Sequence, residues 1–214
     1  MKKAGILMIV GSLLLLGLFK FPLWNIMLGA PQYPDPLGMD IYIEGIQGVD
    51  EFDIQNINGL NHYIGMKIIP EPKDMWEFQM FPTVIGVMVA LGVTIGLLGF
   101  FGKVSYKWFL GWFLLMSVLG IMGMYDFNAW LTEYGTDLDP KAIMKLLNHD
   151  GTPMTYKPPL MGYQKMLNFD VDSWPATGAY MMFGGMMLTV MAFFVGKNEY
   201  KKIAKKSSLK PVTE

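Results

Sequence analysis

The chain has 214 residues, of which 52% are hydrophobic and 16% charged; all 17 basic residues are lysine, and with 18 acidic residues the formal net charge is −1. A soluble domain carries roughly a quarter charged residues, and here the deficit is concentrated in four apolar blocks, which predicts one membrane unit with polar decoration and excludes a string of soluble domains. The lack of cysteine excludes disulfides, thiolate metal sites and thiol catalysis, and the lack of arginine argues against nucleotide and nucleic-acid recognition.

In chain order, residues 1–20 form the first predicted transmembrane helix. Its apolar block, 4–19, follows Lys2 and Lys3 and is short enough to resemble a signal peptide. No small-x-small cleavage site follows, so it is expected to stay as an anchor. Residues 21–82 are a long loop: Pro31, Pro34 and Pro36 hold it extended, residues 41–43 read as a short strand, and Asn58-Gly59 reads as a turn. Residues 83–102 form the second span, 103–107 a short turn and 108–125 the third span, each long enough for a hydrocarbon core of roughly 30 Å. Residues 126–176 are a second loop, in which Asp139-Pro140 starts a predicted helix over 139–148 and 160–167 reads as another short helix. Residues 177–196 are the fourth span and 197–214 a lysine-rich tail. Aromatic residues near the span ends, among them Trp24, Trp76, Trp108, Trp130 and Trp174, fit an interfacial belt. The expected fold is mainly α: a polytopic membrane protein with four transmembrane helices and a small mixed α/β extracytoplasmic cap formed by the two loops, which are too long to be mere connectors.

Charge predicts the orientation. The tip, the 103–107 turn and the tail hold 10 of the 17 lysines, whereas the two long loops hold 16 of the 18 acids. Lysine stays on the cytoplasmic side, so both termini are expected in the cytoplasm of a bacterial inner membrane and both long loops in the periplasm. Gly92 with Gly96, Gly184 with Gly185, and Gly120 with Gly123 are candidates for close helix packing, against the plainer reading that glycine is simply tolerated in an apolar helix.

The residues bear on four kinds of chemistry. The chain has 20 methionines, nine of them in the loops, and thioether with imidazole suits Cu(I); His62 and Met66, four residues apart, would share a face of a helix. The competing reading is that methionine packs in apolar surroundings. Met181, Met182, Met186, Met187 and Met191 form no single stripe and read as packing. No span interior carries an ionisable residue, which argues against a proton or ion path and against axial histidines for an intramembrane haem. Asp126, Asp137, Asp139, Asp170 and Asp172 lack a partner base or nucleophile, so they read as an acidic surface able to dock a cationic partner.

The stretches APQYPDPLGMDIYI, INGLNHYIGMKII, YDFNAWLTEYGTDLDP and PPLMGYQKMLNF resemble an uncharacterised family of small four-span bacterial membrane proteins encoded in nitrous oxide reductase gene clusters. The similarity covers both loops and the order of the spans. It implies a role in maturing or supporting a periplasmic copper enzyme, with nitrous oxide reductase or its copper-maturation proteins as partners. His62, Met66 and Met39, which lie in these motifs, become the metal candidates, and Cu(I) the candidate cofactor. The only other histidine, His149, lies outside them. Asn58, Asn61, Tyr63, Asp137, Asp139 and Tyr163 become the candidate interaction surface, although the asparagines and Tyr63 equally suit shaping the loop. The expected function is therefore a non-enzymatic accessory protein in contact with the lipid bilayer and binding no nucleic acid. The alternative is a structural subunit of a larger membrane electron-transfer or secretion complex. An enzyme acting on lipid or envelope substrates ranks third.

Overall fold

A computed structural model describes residues 1–144, 147, 154–166 and 168–208, with side chains to residue 202. Among the described residues there are five α-helices and five strands: α1 (Lys2–Leu14), continued by a 3-10 segment Leu15–Phe19; β1 (Trp24–Gly29), β2 (Leu37–Tyr42) and β3 (Gly45–Gly48); α2 (Asp53–Ile64); α3 (Trp76–Phe100) and α4 (Lys107–Thr136); β4 (Gly162–Met166) and β5 (Phe169–Pro175); and α5 (Thr177–Ser208). Among the described residues four helical segments are long and apolar enough to cross a membrane: Lys2–Phe19, Trp76–Phe100, Lys107–Thr136 and Thr177–Lys202. The chain divides into two compact units, one of Met1–Lys20, Thr83–Gly120 and Tyr180–Glu214, the other of Phe21–Pro82 and Ile121–Ala179.

The first unit is helical, and small residues set its packing. A Cβ on Gly5 would come within 2.6 Å of the Gly96 carbonyl oxygen, and one on Gly185 within 2.5 Å of the Gly11 carbonyl oxygen, so α1 approaches both α3 and α5 backbone to backbone. Phe109 and Trp112 are completely buried, and the Trp112 indole donates to the Met88 carbonyl at 2.9 Å. The buried hydroxyls of Ser12 and Thr189 donate to carbonyls of their own helices, so neither is left unsatisfied. Of the glycines singled out in the sequence, Gly92, Gly96 and Gly185 meet neighbours, whereas Gly120, Gly123 and Gly184 meet nothing within 4 Å among the described residues.

One end of this unit gathers three segments far apart in sequence. Tyr106 packs on Phe193 and Tyr200 with ring centroids 5.5 and 5.7 Å apart. The Lys2 ammonium lies 5.8 Å from the Phe100 ring centre, and the Met1 amine 3.4 Å from a Glu199 carboxylate oxygen. The N-terminal tip, the turn carrying Lys103 and Lys107, and the start of the lysine-rich tail therefore share one end.

The second unit is built around an antiparallel sheet of order β3-β2-β1-β5-β4. Strands from both long loops enter it: β1 pairs with β5 over six residues, from Trp24↔Pro175 to Gly29↔Asp170. Alternation along the strands puts Trp24, Ile26, Leu28, Leu37, Met39 and Val171 on one face, and these join Ile57 of α2 and Leu131 and Tyr134 of α4 in the core. Burying each such side chain contributes about 1.5–3 kcal/mol.

Several expectations are corrected. Asn58-Gly59 does not turn; it lies inside α2, because Ile54, Ile57, Asn61 and Ile64 recur at helical spacing and face the sheet core. The helix stops at Gly65, which takes φ +83° and leaves Met66 N–H to donate to the Asn61 carbonyl at 2.9 Å, a left-handed cap that favours glycine. The helix expected over 160–167 is absent over 160–166: β4 forms instead, since Gly162 at φ +100° interrupts any helix and pairing with β5 supplies the backbone bonds, and residue 167 lies outside the described residues. The short strand is longer than expected, Leu37–Tyr42 in place of 41–43. α4 runs eleven residues past the expected span end at 125, because Met124, Phe127, Trp130, Leu131 and Tyr134 make an apolar stripe that the sheet covers. α3 begins at Trp76, seven residues before the expected span start at 83, with Pro82 inside it. The helix expected over 139–148 is absent where it is described: Asp139 closes one turn, accepting Lys141 N–H at 2.7 Å on its side chain and Ala142 N–H at 3.0 Å on its carbonyl. Its remainder, and His149, lie outside the described residues.

Gly5→Ala and Gly185→Ala are expected to lower the thermal midpoint of the detergent-solubilised protein, because a backbone oxygen blocks each new methyl. Gly184→Ala, with open space and better helix propensity by about 1 kcal/mol, should hold or raise it. Equal effects in all three would contradict this packing.

Candidate functional site

The chemically distinctive part of the molecule lies in the second unit, where two polar clamps fix the core. The buried Asp53 carboxylate accepts the N–H groups of Gly38 and Asp50, both at 2.9 Å on one oxygen, tying the start of α2 to β2. The Asn58 side-chain carbonyl accepts Ile69 N–H at 2.7 Å and folds the chain after α2 back over the helix. Trp24, in β1, donates from its indole to the Ser173 hydroxyl at 2.8 Å.

Between the sheet, α2 and the end of α4 lies an apolar cavity of about 60 Å³, lined by Met39, Met66, Met166, Trp130, Tyr134 and Tyr156 among others. Its polar feature is a buried pair in which the Asn61 amide donates to the Tyr134 hydroxyl at 2.8 Å. Burial also raises the pKa of Tyr156 on the same wall. Beside β3 an open groove of about 770 Å³ runs along Ile46, Ile54, Ile68, Ile69 and Pro70, with Lys67, Glu71 and Asp74 at its margin. Lys67 forms ion pairs with Glu133 at 2.7 Å and Asp137 at 2.8 Å, and these neighbours, Asp137 foremost, hold its pKa above the ordinary lysine value.

Of the metal candidates, Met39 and Met66 meet at the cavity and His62 is not in its lining. Met39 and Met66 are each 9% exposed and line the cavity, whereas His62 is exposed. Their expected shared helix face does not exist, because α2 ends at Ile64 and Met66 lies beyond the Gly65 cap. Among the described residues no group of three or more His, Asp or Glu side chains is placed to hold a metal ion. The candidate interaction residues divide. Asn58 and Asn61 spend their side chains inside the fold, and Asp139 spends its carboxylate on a local turn. Asp137 pairs with Lys67. Tyr63 and Tyr163 are exposed; the Tyr163 hydroxyl donates to Asp170, which raises its pKa.

Sequence reasoning overlooked Met166, Trp130, Tyr134 and Tyr156 as cavity walls, Asp53 as a clamp, and the Lys67 ion pairs. The i, i+4 spacing of Trp130 and Tyr134 was the available signal; Met166 and Tyr156 carry none, because strand pairing alone brings them here. No protein-family model matches the chain, and no curated protein matches it.

Met66→Ala should destabilise the protein by about 2–5 kcal/mol through cavity enlargement. Asn61→Ala should cost about 1–3 kcal/mol by stranding the Tyr134 hydroxyl. His62→Ala at the surface should stay within about 0.5 kcal/mol. Chemical denaturation in detergent reads all three. Lys67→Met should cost at most about 1 kcal/mol at neutral pH, because the pair is solvent-exposed. A lysine pKa raised on folding contributes fully below the unfolded value and is lost as pH climbs through the folded one, so wild type and Lys67→Met should converge above about pH 10.4.

Proposed function

We propose that this chain is a non-enzymatic accessory protein of the bacterial cytoplasmic membrane. Its four apolar helices span the bilayer, and its sheet-containing unit faces the periplasm as a docking module. One observation carries the reading: the three lysine-bearing segments share one end of the helical unit, the end that lysine bias assigns to the cytoplasm. The long loops then lie on the opposite side, and their surplus of acids (16 against 6 lysines) suits a partner with a basic face. The resemblance of the loop motifs points to nitrous oxide reductase, or the proteins that mature its copper sites, as that partner. The separation of exposed His62 from buried Met39 and Met66 favours docking over hand-over of Cu(I) as the working role. The second reading, a structural subunit of a larger electron-transfer or secretion complex, draws on Gly120 and Gly123 of α4, which meet no neighbour within 4 Å among the described residues and leave room for another helix.

The chain lacks cysteine, so single thiols report orientation cleanly. In intact cells a membrane-impermeant maleimide should label Tyr163→Cys, and should label Lys103→Cys only after permeabilisation; the reverse pattern overturns the proposal. Affinity purification in mild detergent should retain the copper enzyme or its maturation proteins, with yield falling as ionic strength rises. Stoichiometric recovery of a different membrane complex would favour the second reading. Cu(I) binding by wild type that His62→Ala and Met66→Ala both abolish would replace docking with metal transfer.

A further inference from the structure

The sheet has two edges of unequal character. β3 spans only Gly45–Gly48, and the Pro72 ring lies where a Cβ on Gly45 would meet it at 2.6 Å, so that edge is short and partly covered. β4 is different: Tyr163, Gln164 and Lys165 are all exposed.

The register decides which backbone groups of β4 point outward. Ala176 N–H donates to the Leu23 carbonyl at 2.9 Å, one step beyond the Trp24↔Pro175 pair. Hydrogen-bonded pairs alternate in an antiparallel ladder, so Asn25↔Trp174, Met27↔Asp172 and Gly29↔Asp170 are the bonded pairs of β1 and β5. Residues 169, 171 and 173 of β5 then direct their backbone groups the other way, to Met166, Gln164 and Gly162 of β4. The N–H and C=O of Tyr163 and Lys165 face away from the sheet. Among the described residues these four groups have no strand partner, and such an edge is a template for another strand.

We infer that the occupant is a second copy of this chain: β4 pairs with β4 in antiparallel register about a two-fold axis at Gln164, giving a continuous ten-stranded sheet. Charge selects this register. It sets Tyr163 opposite Lys165 of the second copy, so all four outward groups on each strand gain partners and no two lysines face each other. Within each hairpin Lys165 stands opposite Asp170 and Tyr163 opposite Asp172. A row across the interface then reads Asp172, Tyr163, Lys165, Asp170, placing the cation between an aromatic ring and a carboxylate. Centring the axis on Lys165 would oppose like charges. The two-fold interface is closed, which limits the assembly to a dimer.

Gln164 meets its counterpart at a non-hydrogen-bonded pair, where Cα atoms stand about 4.5 Å apart, within disulfide reach. Gln164→Cys in native membranes should give a disulfide dimer on mild oxidation, at least about tenfold above Gln47→Cys on exposed β3. Adding Lys165→Pro removes one outward N–H while sparing the ladder to β5, and should cut the cross-link to the Gln47→Cys background. Light scattering of the wild-type protein in detergent should give the mass of a dimer, which Lys165→Pro converts to a monomer. Overturning results are a monomeric wild type, a Gln164→Cys cross-link no stronger than that of Gln47→Cys, a cross-link indifferent to Lys165→Pro, or Gln164→Cys capturing a different protein in place of itself.

Discussion

The pairing of β1 with β5 is the constraint on which the polar half of this protein depends. Its six residue pairs join segments about 150 positions apart in the chain, and the Trp24 indole reinforces the ladder by donating to Ser173. Closing a loop of that size costs entropy that grows only slowly with length, and the return is large. The paired strands merge two ladders, β3-β2-β1 and β5-β4, into one sheet with a single apolar face. Of these, the two-stranded β5-β4 ladder alone would be marginal in water. Once merged, they cover the stripe from Met124 to Tyr134 and draw α4 on beyond its apolar block as an amphipathic helix.

The four apolar blocks, the lysine distribution and a mixed cap drawn from two loops were legible from composition and run length, because those features are local sums. What was not legible follows from the long-range pairing. Residues 160–167 carry apolar residues at spacings that suit a helix, and only pairing with β5 makes Gly162–Met166 a strand. Asn58-Gly59 has turn chemistry, yet the burial of Ile57 and Asn61 against a sheet that does not exist locally overrides it. The site suffers in the same way. Met39, Met66 and Met166 reach one cavity from three separate elements, and no spacing rule links them. His62, which sequence spacing joined to Met66, stays in α2, whereas Gly65 at positive φ ends the helix before Met66.

The buried polar groups show how the second unit obtains a defined core from an aromatic- and methionine-rich composition. Methionine is adaptable and specifies little by itself. Asp53, Asn58 and Asn61 supply directional bonds to the backbone of β2, to Ile69 and to Tyr134, which narrows the packings open to the thioethers and rings. The segments 30–43 and 57–69 hold Asn58, Asn61 and Met39, so part of their distinctive wording is explained by folding. The exposed tyrosines and the acids not spent inside the fold are left for recognition, and this division underlies the proposed docking role.

An engineered disulfide between β1 and β5 probes the sheet and the proposed side of the membrane together. Met27 and Asp172 are directly paired at a separation of about 5.5 Å between Cα atoms, inside the disulfide range, and the rest of the chain has no thiol to interfere. In growing cells, without added oxidant, Met27→Cys/Asp172→Cys should form an intramolecular disulfide, because the periplasm is oxidising and the cytoplasm is not. Two free thiols, recovered from a chain that is otherwise folded and membrane-inserted, would contradict the ladder or its placement outside the cytoplasm.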